Sequence, residues 1–306
     1  MTVVNTIAHI INPFKAPADS PFVKAQEVTL ESMRVAKSFA AGKVEVELIA
    51  TTFPEDTAVV PADFKVCNQL TDSVLNHGQF SRQRKLPLIR EILANALSCS
   101  NAPYLVYTNM DIALMPQFYV AVDALLKQGH DALLINRRGI ATDYNGVEDL
   151  PLMYSDYGKP HPGFDCFVLK RSLVQQLLLE NICIGVPFLE VCLVHNMIAY
   201  AEKLKLVDDL HLTFHLGMEV MPPVDEDYYL FNREEYEQKI YPKLKPLLDI
   251  GKFPYATLPF YKRMMKWALN PVFRTHQVSE MEGKNFIRRM KFKLDGLRFS
   301  LMDKIK

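Results

Sequence analysis

The sequence YLVYTNMDI at positions 104–112 decides the fold of this chain. Its apolar and aromatic beginning is typical of a short buried strand, and a polar turn that contains Asn109 and Asp111 follows. Because side-chain direction alternates along a strand, these two side chains should leave the strand end on the same side. An amide and a carboxylate so placed can hold a ribose, a metal ion or both. The same turn also suits the N-cap of a helix that starts near Pro116.

Strands and helices alternate on both sides of this stretch, which predicts βαβ units and an open, doubly wound sheet. Apolar runs and helix-capping residues place predicted strands at 6–11, 44–53, 104–107, 131–140 and 163–171, and predicted helices at 20–41, 87–100, 115–130, 172–182 and 188–204. Residues 207–217 complete the pattern as a strand pair. In such sheets the ligand binds outside the carboxyl ends of the strands, where Asn109 and Asp111 should lie.

A second region begins after this domain. We expect one domain over residues 1–217, followed by a mainly helical extension over residues 218–306 that is first acidic and then basic. The proline-interrupted, tyrosine-rich start of this extension disfavours sheet.

Composition excludes several classes of protein. Apolar residues make up 49% and charged residues 23% of the 306 residues, which is typical of a soluble globular protein. A net charge of zero argues against a general nucleic-acid binder. The sequence has no GxGxxG, GxxxxGK[ST] or GxSxG motif, which disfavours dinucleotide enzymes, P-loop hydrolases and serine hydrolases.

The cysteines and the N-terminal region both favour the cytosol. Five cysteines form an odd, widely spaced set without CxxC pairs, which predicts buried free thiols rather than disulfides or a zinc site. The apolar run near the N-terminus lacks a preceding basic region and is shorter than the roughly 18 residues that span a bilayer.

The order of the motifs is similar to that of GT-A glycosyltransferases. The resemblance covers about residues 6–217 and runs from RKLPLIREILANAL through YLVYTNMDI, GFDCFVLKRSLV and FLEVCLV to LTFHLG. It implies a family-2-like GT-A fold, an α/β doubly wound mixed sheet flanked by helices. Asn109, Met110 and Asp111 then occupy the place of the DxD signature, which binds a divalent metal and the nucleotide diphosphate. Since an amide is a weaker ligand than a carboxylate, Asp111 is the principal candidate.

The resemblance also implies roles for three later residues. Glu190 matches the first acid of a Glu-Asp motif whose second acid is Val191 here, and it becomes the candidate general base, with Asp165 as its rival. Glu190 is equally a carboxylate favoured by the start of a helix. His215 resembles a late histidine that can join Asp111 in a Mn²⁺ site, although a histidine at a strand end also serves as an ordinary hydrogen-bonding residue.

Two further segments are candidates for contacts with the nucleotide. Asn12, Pro13 and Phe14 follow the first strand at the place where family members contact the base, and Phe14 is suited to stacking. Arg82 and Lys85, with Arg84 between them, precede the helix before position 104 and suit a clamp on phosphate oxygens. The alternative for the basic residues is a solvated loop.

These features together predict transfer of a sugar from a nucleotide diphosphate sugar, in the first place a UDP-sugar, with Mn²⁺ or Mg²⁺. The implied acceptor is a hydroxyl of a glycan or a lipid-linked molecule, as in polysaccharide biosynthesis. A sugar-1-phosphate nucleotidyltransferase is one alternative, but INPFKAPADS lacks the glycine-rich loop of that class. A non-catalytic nucleotide-sugar-binding protein is the other, and Asn109 and Val191 favour it.

The C-terminal end is strongly basic. From Lys262 onward there are twelve Lys and Arg against four Asp and Glu. The segment from Lys284 to Lys306 has apolar residues at helical spacing and predicts a basic amphipathic helix. It either contacts an anionic membrane, at the inner face of the cell membrane, or packs on the acidic remainder of the chain.

Overall fold

The computed structural model describes residues 5–161, 163–217, 225–270 and 272. The strands are β1 (Thr6–Ile11), β2 (Glu45–Ala50), β3 (Lys65–Val66), β4 (Tyr104–Thr108), β5 (Ala113–Leu114), β6 (Ala132–Ile135), β7 (Arg137–Ile140), β8 (Lys159–Pro160), β9 (Cys166–Lys170), β10 (Leu204–Val207) and β11 (Thr213–Leu216). The α-helices are α1 (Pro21–Ala40), α2 (Ile89–Cys99), α3 (Phe118–Lys127), α4 (Leu150–Ser155), α5 (Arg171–Val174), α6 (Leu189–Tyr200), α7 (Glu226–Glu234), α8 (Tyr241–Leu244) and α9 (Phe260–Leu269).

The main sheet has seven strands in the order β10-β6-β9-β4-β1-β2-β3. All neighbouring strands are parallel except β9, which is antiparallel to both β4 and β6. Parallel neighbours need crossover connections, and helices supply these on both faces. The predicted fold class, a doubly wound mixed sheet flanked by helices, is confirmed.

Alternation along β1 shows how the sheet separates two apolar layers. Ile7 and Ile11 point into the layer that α1 and α3 cover, whereas Ala8 and Ile10 point into the layer that α2 and α6 cover. All four side chains are fully buried. A central strand buried on both faces is therefore largely apolar, and the buried His9 is a polar exception within β1.

A second sheet, with the order β5-β11-β7-β8, lies beside the first. The predicted strand 131–140 is in fact two strands, and only Asn136 separates β6 in the main sheet from β7 in the small sheet. The Asn136 N–H donates to the Val207 carbonyl at 3.2 Å, and its side-chain amide donates to the Gly163 carbonyl at 3.2 Å. These bonds fix the point at which the chain changes sheets.

The predicted helix at 172–182 is wrong beyond its first turn, because α5 ends at Val174. The side chain of Asn196 on α6 accepts the Leu178 N–H at 2.7 Å and donates to the Leu178 carbonyl at 2.9 Å. Glu180 also has a φ of 43°, a left-handed value that no α-helix accommodates. A buried asparagine on a neighbouring helix thus takes the backbone bonds that a helix would need.

The described part of the extension packs on the main domain rather than forming a core of its own. Tyr236, Leu244 and Trp267 belong to the same apolar cluster as Cys192 of α6. The segment Lys284 to Lys306 lies outside the described residues. Among the residues that the structure describes, no helix combines the length and the apolar character that crossing a bilayer requires.

The expectation of five free thiols is wrong for two of them. Cys67 and Cys99 form a disulfide that joins the end of β3 to the end of α2, with their Cα atoms 5.7 Å apart. They are separated by 32 positions, so their proximity comes from packing of the edge strand against the helix. Only Cys166, Cys183 and Cys192 are buried free thiols of the kind expected in a reducing cytosol.

Candidate active site

Five ionisable side chains converge where the carboxyl ends of β4 and β6 meet the start of the antiparallel β9. They come from five separate stretches of the chain and are Asp111, Arg137, Asp165, Glu190 and His215. Four of them were predicted from the sequence, and Arg137 was not.

Asp111 and His215 form a facing pair, with Asp111 Oδ2 3.3 Å from His215 Nε2. The small sheet brings them together, because β5 follows Asp111 directly and β11, which carries His215, pairs with β5. Burial raises the pKa of Asp111, but the hydrogen bond and charge of His215 and the charge of Arg137 outweigh it. The pKa of this carboxyl therefore lies below its ordinary value, and Asp111 is ionised at neutral pH.

Asn109 is oriented differently. Its side-chain oxygen accepts a hydrogen bond from the Tyr107 hydroxyl at 3.1 Å, and its carbonyl accepts the Ile112 N–H at 3.2 Å. Burial, with a further contribution from Asp111, raises the pKa of Tyr107, so its hydroxyl remains a donor. The structure thus places Asn109 in the turn beside Asp111 but bonds its oxygen back to β4.

Arg137 and Asp165 form a largely buried ion pair, with Nη1 and Oδ1 2.9 Å apart and side chains 11% and 14% exposed. Arg137 begins β7, immediately after the sheet-changing Asn136, and Asp165 immediately precedes β9. His161 Nδ1 lies 3.6 Å from the other oxygen of Asp165. One oxygen of Asp165 is therefore committed to the guanidinium.

Glu190 lies in the first turn of α6 and faces the same group. Its Oε1 accepts the Phe164 N–H at 2.6 Å. Burial and the neighbouring charge of Asp165 raise the pKa of Glu190 to about 8, although the Phe164 N–H and Arg137 act in the opposite direction. At neutral pH Glu190 is mostly protonated.

Gly163 allows this approach. A Cβ at this position would lie 3.0 Å from His161 Cε1 and 3.2 Å from Glu190 Oε1. Any larger residue at position 163 would clash with the Glu190 carboxyl group. This steric requirement for glycine in HPGFD is not evident from the sequence motif alone.

The predicted base-contacting residues directly follow β1, and Asn12 contacts the residue that follows β2. The Asn12 side-chain amide donates to the Thr51 carbonyl at 2.5 Å and so ties the two strand ends together. Pro13 is buried beside it. Phe14 is partly buried, its N–H donates to Gln26 Oε1 at 3.0 Å, and its ring meets Phe22 edge to face at 5.6 Å.

The basic loop before α2 is partly committed to carboxylates. Lys85 Nζ lies 2.5 Å from Glu55 Oε1 and 4.1 Å from the centre of the Phe53 ring, close to the end of β2. Arg84 Nη1 lies 3.5 Å from Asp225 Oδ2. Arg82 is exposed. Lys85 is thus near the strand end that Asn12 contacts, and Arg84 faces the extension.

Arg137 and Asn136 were missed by sequence reasoning although a signal was present. The apolar run DALLI is followed directly by Asn-Arg-Arg-Gly and a further apolar residue. Polar side chains inside a strand that is buried on both faces need hydrogen-bond partners close by. Such an interruption of an apolar run therefore indicates either a change of sheet or a functional site.

Two donor atoms in the site are of kinds that divalent cations accept. Asp111 and His215 supply a carboxylate oxygen and an imidazole nitrogen, both acceptable to Mn²⁺. The described residues contain no group of three or more His, Cys, Asp and Glu side chains that could hold a metal ion. Hard cations take six or more ligands, so two protein donors leave most positions to phosphate oxygens and water.

No protein-family model matches this sequence, and no curated protein matches it by sequence. Solved structures do resemble it. Residues 1–349 of S. aureus TarS in complex with UDP-GlcNAc give a TM-score of 0.47 at 11% identity, covering 86% of this chain and 79% of that one. Glucosyl-3-phosphoglycerate synthase from Mycobacterium tuberculosis, in complex with Mn²⁺, UDP-glucose and phosphoglyceric acid, gives 0.45 at 16%, covering 81% and 82%. At these identities the likeness is one of fold alone.

Proposed function

We propose that this chain is a glycosyltransferase that moves a sugar from a nucleotide diphosphate sugar, in the first place a UDP-sugar, to a hydroxyl of a glycan or lipid-linked acceptor. The observation that carries the proposal is the convergence of the Asp111–His215 pair, the Arg137–Asp165 pair and Glu190 at the carboxyl edge of a doubly wound sheet. This edge is where ligands bind in such folds.

The donor diphosphate is assigned to the Asp111 side of the site. Asp111 and His215 would hold a Mn²⁺ or Mg²⁺ ion, which supplies charge neutralisation for the departing diphosphate. Asp111 is ionised and therefore ready to act as a ligand. Asn109 would orient the turn through its bond to Tyr107, and Arg137 adds a fixed positive charge beside the anion.

The acceptor hydroxyl is assigned to the Glu190 side. In a direct displacement the acceptor oxygen bonds to the anomeric carbon while the bond from that carbon to the diphosphate oxygen breaks, and a base takes the hydroxyl proton. Glu190 in its ionised form, which becomes populated as the pH approaches about 8, is the preferred base, because Asp165 is held in an ion pair with Arg137. Asp165 remains the rival, and its substitution distinguishes the two.

The nucleotide is assigned to the ends of β1 and β2. Asn12, Pro13 and Phe14 would border the base, and Arg82 and Lys85 would approach the phosphates. The ion pair between Lys85 and Glu55 would have to open for this contact, which is inexpensive for an exposed pair.

The deciding experiment is calorimetric titration with a panel of nucleoside diphosphates and UDP-sugars, with and without Mn²⁺. We expect binding of one nucleotide that Mn²⁺ strengthens, and loss of this strengthening in Asp111→Ala. An exposed substitution such as Glu202→Gln is the control and should bind like the wild type. If no nucleotide binds in either condition, the proposal is wrong.

A non-catalytic nucleotide-sugar-binding protein is the second candidate. The orientation of Asn109 toward Tyr107 and the presence of Val191 in place of a second acid favour it. It predicts nucleotide binding without release of nucleotide diphosphate in the presence of any acceptor, and hydrolysis assays on the bound sugar separate the two functions.

A further inference from the structure

The last described helix, α9, is fixed to the protein by one face. Trp267 is buried and its indole N–H donates to the Pro254 carbonyl at 2.8 Å. Arg263, one turn earlier, donates to the Ala256 carbonyl at 3.1 Å, and its guanidinium lies 5.2 Å from the centre of the Trp267 ring. These contacts determine which face of α9 points outward.

The outward face is apolar and unusually exposed. Tyr261 and Met265 are 63% and 64% exposed, and Met264 is 38% exposed. They lie three and four positions apart and so form one surface of the helix. Phe260, at the start of the helix, is 69% exposed. Isolated apolar residues are ordinary on a surface, but an adjacent group on one helix is typical of an interaction site.

Basic residues border this face. Lys262 and Lys266 are one helical turn apart and both are exposed. Because Arg263 and Trp267 hold the other side of α9, the exposed part consists of an apolar surface with a lysine row along it. This is the pattern of a helix that lies in the interface of a membrane, with its apolar side inserted shallowly and its lysines near lipid phosphates.

Charge argues against the segment from Lys284 to Lys306 as the occupant. The segment from Lys284 to Lys306 has eight Lys and Arg against two Asp and Glu, so it carries the same sign as the lysine row. A second copy of α9 would bring like charges together in the same way. An anionic surface complements both the helix and the basic segment that follows it in sequence.

We infer that the outward face of α9, formed by Tyr261, Met264 and Met265 with Lys262 and Lys266, binds the surface of an anionic lipid bilayer. The inference concerns this face alone and does not rest on the proposed function, because binding to vesicles is measured without turnover.

The position of α9 connects this surface to the candidate site. Lys266 lies 4.9 Å from the centre of the Tyr255 ring, and the Tyr255 hydroxyl donates to Asp208 Oδ2 at 3.0 Å. Asp208 follows Val207, whose carbonyl accepts the Asn136 N–H. The helix therefore adjoins the edge of the sheet at which the candidate site lies, and a bilayer bound there would present lipid-linked molecules close to that edge.

The test is sedimentation of the full chain with phosphatidylcholine vesicles that contain or lack phosphatidylserine. We expect binding to the anionic vesicles only. Tyr261→Ser with Met265→Ser should weaken it at least tenfold. Lys262→Ala with Lys266→Ala should weaken it roughly thirtyfold, since each basic residue near an anionic surface contributes about fivefold. Phe39→Ser is the matched control, because Phe39 is also an exposed aromatic residue with a lysine, Lys43, over its ring.

Three outcomes overturn the inference. The first is no binding of the wild-type chain to either vesicle. The second is that both α9 variants bind vesicles as well as the wild type does, while the double variant Arg288→Ala, Arg289→Ala does not bind. This result would assign lipid contact to the basic segment alone. The third is a dimer in sedimentation velocity that the Tyr261 and Met265 substitutions dissociate, which makes this face a contact between copies. Circular dichroism and thermal unfolding of each variant verify that it is folded.

Discussion

Replacing Glu190 by Gln should increase the stability of the fold at alkaline pH while it removes most of the proposed turnover. The substitution keeps the shape of the side chain and its acceptor oxygen, so the hydrogen bond from the Phe164 N–H at 2.6 Å is retained. What disappears is a carboxyl group that the folded protein holds in its neutral form. Burial, and after it the charge of Asp165, causes that preference by raising the pKa of Glu190.

The magnitude follows from the shift of one pKa. In the folded state the pKa of Glu190 is about 8, against an ordinary value of 4.5 in the unfolded chain. Since the folded state holds the proton more tightly, the wild type loses stability as the pH rises from the unfolded pKa through the folded one. With about 1.4 kcal/mol per pKa unit, the loss between about pH 5 and about pH 8 is about 3 kcal/mol relative to Glu190→Gln.

The assay is urea unfolding of wild type and variant at several pH values, analysed as the difference in the free energy of unfolding. This difference cancels the titration of every other group that the substitution leaves unchanged. We expect Glu190→Gln to gain on the wild type steadily with pH, and the exposed control Glu202→Gln to show no such trend. A difference that stays constant from pH 5 to pH 8 would refute the reasoning on burial and on Asp165.

Three other perturbations test separate parts of the molecule. Asp111→Ala should abolish turnover and weaken nucleotide affinity in Mn²⁺, whereas Glu190→Gln should slow turnover and leave nucleotide binding nearly intact. Calorimetry measures the affinity and product assays measure the turnover. Equal behaviour of the two variants would contradict the assignment. Asp165→Asn removes the like charge that raises the pKa of Glu190, so the rise of kcat/KM with pH should move below about pH 8; complete loss of turnover at every pH would instead make Asp165 the base. Cys67→Ser opens a disulfide that spans 32 positions, and the free energy of unfolding should fall by about 3 to 4 kcal/mol, as reduction of the wild type should also show; no change would mean that the bond adds no constraint.

The elements with local signals were predictable from sequence. β1 covers the predicted residues because its β-branched run ends at Asn12 and Pro13, which do not continue a strand. α1 begins after Ser20, whose hydroxyl accepts the Phe22 N–H, and continues to Ala40, two positions before Gly42, whose φ is 74°. In these cases capping and periodicity depend on residues close together in sequence.

Elements that depend on distant partners were not predictable. β9 lies antiparallel between β4 and β6, and its residues pair with residues about 60 positions earlier in β4 and about 30 positions earlier in β6. Nothing in the sequence of β9 itself specifies its direction. The end of α5 depends on Asn196, which lies on another helix. The disulfide likewise depends on the packing of an edge strand against α2.

The candidate site likewise contains some residues that local sequence signals indicate and others whose role depends on distant parts of the chain. Asp111, Glu190 and His215 were predicted from the order of motifs, because each lies in or beside a recognisable element. Their mutual distances come from the small sheet, in which β11 pairs with both β5 and β7. Arg137 becomes meaningful only when the chain is seen to change sheets at Asn136.

The protonation pattern of the site follows from the sharing of one guanidinium among three carboxyl groups. Asp165 takes the direct contact with Arg137 at 2.9 Å, and Asp111 has the imidazole of His215 as its nearest side-chain hydrogen-bonding partner. Glu190 receives only a backbone N–H and a distant charge, and it faces Asp165. The group with the weakest compensation is therefore the one that keeps its proton, while Asp111 remains anionic. The proposed deprotonation of the acceptor requires a residue that gains and loses a proton near neutral pH, and cation binding requires a nearby group that stays charged. Glu190 and Asp111 differ in this way.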